Sequence, residues 1–283
     1  MKNLRVLVVL VVLMSSLVFA GVEYTSKITT TGNKKSMNYE MTSTLFAQNG
    51  DVKQVYENVP KQQRGLMSED GYWLYKGKDK TLYIVNDKEK TVTPMSLDSM
   101  LQMTQMAGQL VKISIEDHTV KTQSLGKATL LGVSCDHIRI TSSYTMKMKI
   151  TFIKKTIKVE EVKEIWATNN LSAANEVNRS FYEKDFKTGW EDLDKMIEKE
   201  MKQMRKIGFP LKTVTHTINK NKKGKVQSDQ TTTMEVLKIK SKSFPAAFFE
   251  IPKGYEVAQM GPGEEEGDDD APKKKKKKKF GLF

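Results

Sequence analysis

Residues 130–141, LLGVSCDHIRIT, place Cys135, Asp136 and His137 side by side in a chain of 283 residues that holds one cysteine. Those residue types could supply a thiolate nucleophile, a general base and a group to orient it, or part of a metal site. Nucleophilic catalysis needs the base within hydrogen-bond reach and a site for the oxyanion. If the segment is a strand, side chains alternate between faces. Val133, Cys135, His137 and Arg139 then share one face, while Ser134, Asp136, Ile138 and Ile140 share the other. Asp136 is turned away from both would-be partners. The Cβ atoms of Cys135 and His137 would lie about 7 Å apart, too far for a direct hydrogen bond unless the side chains lean together. The chain carries no nucleophile elbow and no glycine-rich phosphate cradle. His118, His137 and His216 are scattered without a helical His-x-x-x-His pair, so no metal-ligand pattern emerges. The expectation is a semi-buried strand cysteine, with no catalytic residue, no metal and no cofactor.

The residues better suited to apolar recognition are the methionines and tryptophans. In SLDSMLQMTQMAGQL, Ser96 can cap a helix, and Leu97, Met100, Leu101, Met103, Thr104 and Leu110 fall near helical spacing. Met95, Met100, Met103 and Met106 would make that helix adaptable, fit either for filling an irregular core or for meeting varied apolar ligands. A second helical region spans residues 172–208, where Trp190, Leu193, Met196, Ile197, Met201 and Met204 line one face. Gly208 and Pro210 mark its expected end. Trp73, Met100, Met103, Met106, Trp166, Met196 and Met201 are the candidate liners of an apolar site, and each also suits plain core packing.

The elements that must position these side chains are mostly strands. VEYTSKITTTG and the stretch from Ser36 to Val59 are rich in β-branched and aromatic residues and largely alternate, with Asn49-Gly50 as a hairpin turn. Further turns are expected at Asp70-Gly71, Gly77-Lys78, Asn86-Asp87 and Lys223-Gly224. Strands resume from about Lys112 to Asn169 and again in LKTVTHTINKN and VQSDQTTTMEVLKIKS. One apolar and one polar row per strand predict a sheet with one solvated face. The order of strands, helix, strands, helices, strands predicts an α+β fold, a large curved antiparallel sheet packed on amphipathic helices.

The ends differ from the body. Residues 1–20 have the layout of a signal peptide: Lys2 and Arg5, an apolar run from Val6 to Met14, then Val18-Phe19-Ala20. Cleavage near Ala20 would send the chain to the periplasm or the medium. Residues 261–283 carry six acids, then seven lysines, and read as a disordered acidic and poly-lysine tail. Its lysines could meet an anionic membrane surface or an envelope protein. Between the two, residues 21–260 form one expected domain with 38 Lys/Arg against 28 Asp/Glu. Most of those lysines alternate with Thr, Ser and Glu, and no basic-aromatic groove stands out, which argues against nucleic acid. A lone cysteine allows no intrachain disulfide, so stability rests on packing and sheet hydrogen bonds.

SLGKATLLGVSCDHIRIT, EEVKEIWATNNL and FFEIPKGYEV together resemble the exported bacterial proteins grouped as domain of unknown function 4412. The matching positions are Gly126, Gly132, Cys135, Trp166, Phe249, Ile251, Pro252, Gly254 and Tyr255. More distantly, the element order is similar to the LolA and LppX lipoprotein-carrier fold, an unclosed β-barrel around helices. That resemblance implies a non-catalytic periplasmic binder of a lipid acyl chain or another hydrophobic ligand. The competing expectation is a protein-interaction or envelope-stress sensing module with a packed core and an electrostatic tail.

Overall fold

The computed structural model describes residues 21–60, 67, 69–96, 111–150, 152–175 and 187–258. The expected signal peptide, the helix expected around Met100, Met103 and Met106, and the charged tail lie outside the described residues. Twelve strands form one sheet: β1 (Val22–Gly32), β2 (Tyr39–Gln48), β3 (Asp51–Glu57), β4 (Gly71–Lys76), β5 (Thr81–Asn86), β6 (Thr91–Ser96), β7 (Val111–Leu130), β8 (Val133–Ile150), β9 (Ile153–Thr168), β10 (Phe209–Asn221), β11 (Val226–Ser241) and β12 (Glu256–Val257). Their spatial order is β12-β6-β5-β4-β3-β2-β1-β11-β10-β9-β8-β7. Every pairing is antiparallel except β12 on β6. The sheet is therefore two meanders joined where β1 pairs β11, and it is unclosed. A flat sheet would set β6 and β7 about 48 Å apart. The 14 residues that join them could bridge that only when fully stretched, at about 3.3–3.6 Å each. The connection is comfortable only on a sheet that curls edge toward edge.

Turn chemistry sets the register. Asn49 (φ 53°) and Gly50 (φ 84°) close the β2–β3 hairpin in the left-handed region, as an Asn-Gly type I′ turn requires. Leu131 (φ 52°) and Gly132 (φ 73°) do the same between β7 and β8, and Gly126 (φ 102°) sits at a bulge in β7. The spacing of Gly126, Gly132 and Cys135 is thus the spacing of one bulged hairpin. Asp70 falls in a turn as expected, but Gly71 opens β4, with the Val85 carbonyl where a Cβ would need to stand.

Among the described residues, the second helical region yields a helical turn at 172–175 and one long helix, α1 (Glu191–Met204). Pro210 lies inside β10, so the helix ends before the expected Gly208-Pro210 boundary. Asp194 accepts hydrogen bonds from the Thr188 backbone N–H and hydroxyl, both at 2.6 Å, and fixes the turn that starts α1. The helix lies along β7, with the Trp190 indole N–H donating to the Val111 carbonyl at 2.8 Å. Met204 and Ile207 pack on Ile140, Ile165 and Ala167 of β8 and β9. This contact defines the helix-bearing face.

The opposite face is not left wet. On β2 to β6 it presents Phe46, Val55, Tyr72, Leu74, Val85 and Val92, and Phe244, Phe248 and Phe249 from the C-terminal segment cover them. The expected single solvated face therefore fails over half the sheet, because a strap from the far end of the chain returns across it. Leu74, at the centre, is fully buried, a burial that contributes about 1.5–3 kcal/mol. Tyr255 donates to Asp87 at 2.9 Å and Gly254 (φ 80°) makes the turn that lays β12 beside β6.

Candidate functional site

β8 is regular at the cysteine, and the alternation holds. Cys135 is 1% exposed, and its thiol donates weakly to the Val133 carbonyl at 3.5 Å. Burial pushes that thiol up, away from the thiolate a nucleophile needs. His137 turns to Glu164, directly across the β8–β9 ladder from Arg139. Its Nε2 lies 3.0 Å from Glu164 Oε2, and Arg139 donates twice to Glu164 Oε1, at 3.1 and 2.7 Å. The imidazole stacks on Trp166 at 4.2 Å between ring centres, and Lys212 lies 5.8 Å over the same indole. Arg139 and His137 hold the Glu164 carboxyl below the usual carboxylate range. Asp136 is on the other face and pairs with Lys127. Every polar group of the cluster is spoken for within the sheet, so the arrangement clamps β8 to β9. Among the described residues no group of three His, Cys, Asp or Glu side chains could hold a metal ion.

The candidate liners do not converge. Trp73 packs with Tyr56 and Met41 on the helix-bearing face, rings 5.4 Å apart. Trp166 packs in a different cluster, with Cys135, Phe209 and Leu211. Met196 is buried on α1 and Met201 is half-buried on the same helix. Met100, Met103 and Met106 lie outside the described residues.

A cavity of about 350 Å³ opens instead on the helix-bearing face, over β8 to β11 beside the β1–β2 connection. One side of this open groove, its floor, is apolar, with Tyr144 and Met146 from β8, Ile157 and Val159 from β9 and Met37 reaching in from the short turn after β1, while its exposed lining as a whole is more polar than apolar. Tyr144 pairs with Val159 and Met146 with Ile157, so the floor is two adjacent cross-strand rungs. Lys34 and Lys155 stand exposed at the rim, and Asn219 donates to Ser228 at 2.7 Å on the polar side. Burial pushes the Tyr144 phenol up, reinforced by Glu161 and Glu200. Glu200 belongs to α1 and comes within 3.4 Å of the buried His118 Nε2, while the His118 ring meets Tyr144 edge-on at 6.2 Å. The helix is thereby tied to the cavity's wall. These residues escape a sequence reading because their alternation, SYTMKMKI, looks like any strand. Only the pairing with KTIKV shows that the two apolar rows meet.

The family profile of domain of unknown function 4412 matches residues 71–255. No curated protein matches the chain. Among solved structures, the chain is similar to PNGF-II at 11% identity and a TM-score of 0.27, covering 83% of this chain and 31% of that one. It thus spans under a third of that protein. A putative outer membrane lipoprotein-sorting protein domain from Vibrio parahaemolyticus is 8% identical with a TM-score of 0.21, covering 82% of this chain and 90% of that one. A DUF1329 family protein from Desulfovibrio piger is 9% identical with a TM-score of 0.17, covering 84% and 93%. Such low scores and identities establish neither a shared fold nor a shared activity.

Proposed function

The chain belongs to the domain-of-unknown-function 4412 family, and on that premise we propose that it is an exported, non-catalytic binding protein for an amphiphile with an acyl chain and an anionic head. The observation that carries this reading is the cavity on the helix-bearing face. Its floor of Tyr144, Met146, Ile157 and Val159 suits a hydrocarbon chain, and Lys34 and Lys155 at the rim suit a carboxylate or phosphate. At about 350 Å³ it is near the small end of ligand pockets, room for one chain. Apolar contact would supply affinity at about 25 cal/mol per Å² buried, and the lysines would fix orientation. The Cys135-Asp136-His137 triplet does not assemble a catalytic set, with the thiol buried and His137 held by Glu164, which supports reading the chain as a binder.

The test is titration of the full chain with a fluorescent fatty acid. Saturable one-to-one binding is expected. Ile157→Trp, which fills the floor, should weaken it at least tenfold, and the double change Lys34→Glu, Lys155→Glu should favour an uncharged analogue of the probe. Binding unchanged in both variants would place the ligand elsewhere, and no binding by the parent chain would leave a packed interaction module.

A further inference from the structure

We infer that the tip of the β8–β9 hairpin is a membrane-docking finger that enters the head-group layer of an anionic bilayer. Phe152 at the tip is 99% exposed, Ile153 is 63% exposed and Ile150 is 44% exposed. Phe152 and Ile153 together expose a large apolar surface at the turn, at a cost in solubility. Immediately behind them stands a row of lysines. Lys112, Lys149 and Lys154 lie directly opposite one another on β7, β8 and β9. Like charges placed opposite across a ladder destabilise the sheet, and none of the three has a carboxylate partner among the described residues. The contrast with the adjacent position is informative: Lys147 on β8 has Glu116 of β7 at 2.6 Å.

An apolar tip with an unneutralised basic collar is complementary to an anionic lipid surface, where aromatic and aliphatic side chains settle at the acyl boundary and lysines meet phosphates. A protein groove would satisfy the apolar tip but gives no reason for three uncompensated charges in a row. The finger is separate from the cavity's floor, so the inference does not depend on an amphiphile being bound there.

The poly-lysine tail could bring the chain to the same vesicles, so the experiment reads the tip itself. Cys135 is buried, which leaves Phe152→Cys as the accessible thiol for an environment-sensitive dye on the full chain. With vesicles of phosphatidylglycerol and phosphatidylcholine, the emission should shift to the blue and be quenched by lipids spin-labelled near the head group. With phosphatidylcholine alone it should stay as in water. In a second measurement on the unlabelled protein, Ile150→Ser with Ile153→Ser should lower co-sedimentation with the anionic vesicles at least fivefold. Reversing the collar, Lys149→Glu with Lys154→Glu, should do the same. A dye that remains in water while the chain co-sediments would overturn the inference and leave the tail as the contact. So would failure of the chain to bind anionic vesicles.

Discussion

Glu164 carries more of the structure at the residue scale than the cysteine beside it in space. It accepts from Arg139 and His137 at once, and both hold its carboxyl below the ordinary value of 4.5. A carboxyl that is harder to protonate when folded contributes stability that is fully present above its unfolded pKa and is lost as pH falls through the lowered folded value. Glu164→Gln should therefore reduce the free energy of unfolding by about 1 kcal/mol at neutral pH. The gap to the parent chain should close on acidification, as urea unfolding at several pH values would show. A gap that widened in acid would mean that the carboxyl is not the partner the geometry makes it. The faces of Cys135, Asp136 and His137 were legible in the sequence, because alternation is a local property. The partner of His137 was not. It depends on which residue of β9 falls opposite, and that is decided by a hairpin whose tip lies more than ten residues away.

Elements were read well where turn residues announce them and less well where long-range packing decides. Asn49-Gly50 and Lys223-Gly224 lie in turns, and the long strands from Val111 to Thr168 and from Phe209 to Ser241 fall within a few residues of their expected spans. The long helix, by contrast, is confined to Glu191–Met204 among the described residues, because Thr188 and Asp194 set its start. At the turn of Leu131 and Gly132, leucine adopts φ 52° while 49% exposed. A β-carbon in that region costs roughly 1–2 kcal/mol, which asparagine relieves. Leu131→Asn should raise stability by about 1 kcal/mol without altering the sheet, measurable as a higher urea midpoint with an unchanged slope. A loss of stability would show that Leu131 has contacts outweighing the turn. The covering strap is a second element the sequence did not expose. FPAAFFEIPKGYEV reads as a closing strand, yet its phenylalanines lie over β2 to β6, with Phe244 and Phe248 stacked at 5.0 Å. Truncating the buried Phe249 to alanine should cost about 3 kcal/mol. A cost near zero in thermal unfolding would mean that the strap is dispensable.

For the molecule as a whole, a seven-strand and a five-strand stretch meet at β1 and β11, so the first and one of the last strands of the sheet lie side by side near its middle. That arrangement leaves both outer edges free to curl and gives the sheet two chemically different ends. One is locked by the C-terminal strap. The other carries α1, the cavity and the exposed β8–β9 tip. The basic excess of residues 21–260, 38 Lys/Arg against 28 Asp/Glu, finds two local expressions there: lysines at the cavity rim and lysines behind the tip. The large antiparallel sheet was accessible from strand count and alternation, while the share of helix and the groove were not, since the groove exists only where two strands' apolar rows and the β1–β2 connection come together. The most direct test is to purify the full chain natively from an exporting bacterial host, extract it with organic solvent and identify what is released by mass spectrometry. Binding at the cavity predicts a stoichiometric acyl species with an anionic head, absent from the Ile157→Trp variant. A clean extract from the parent chain, with no uptake of added lipid, would contradict it.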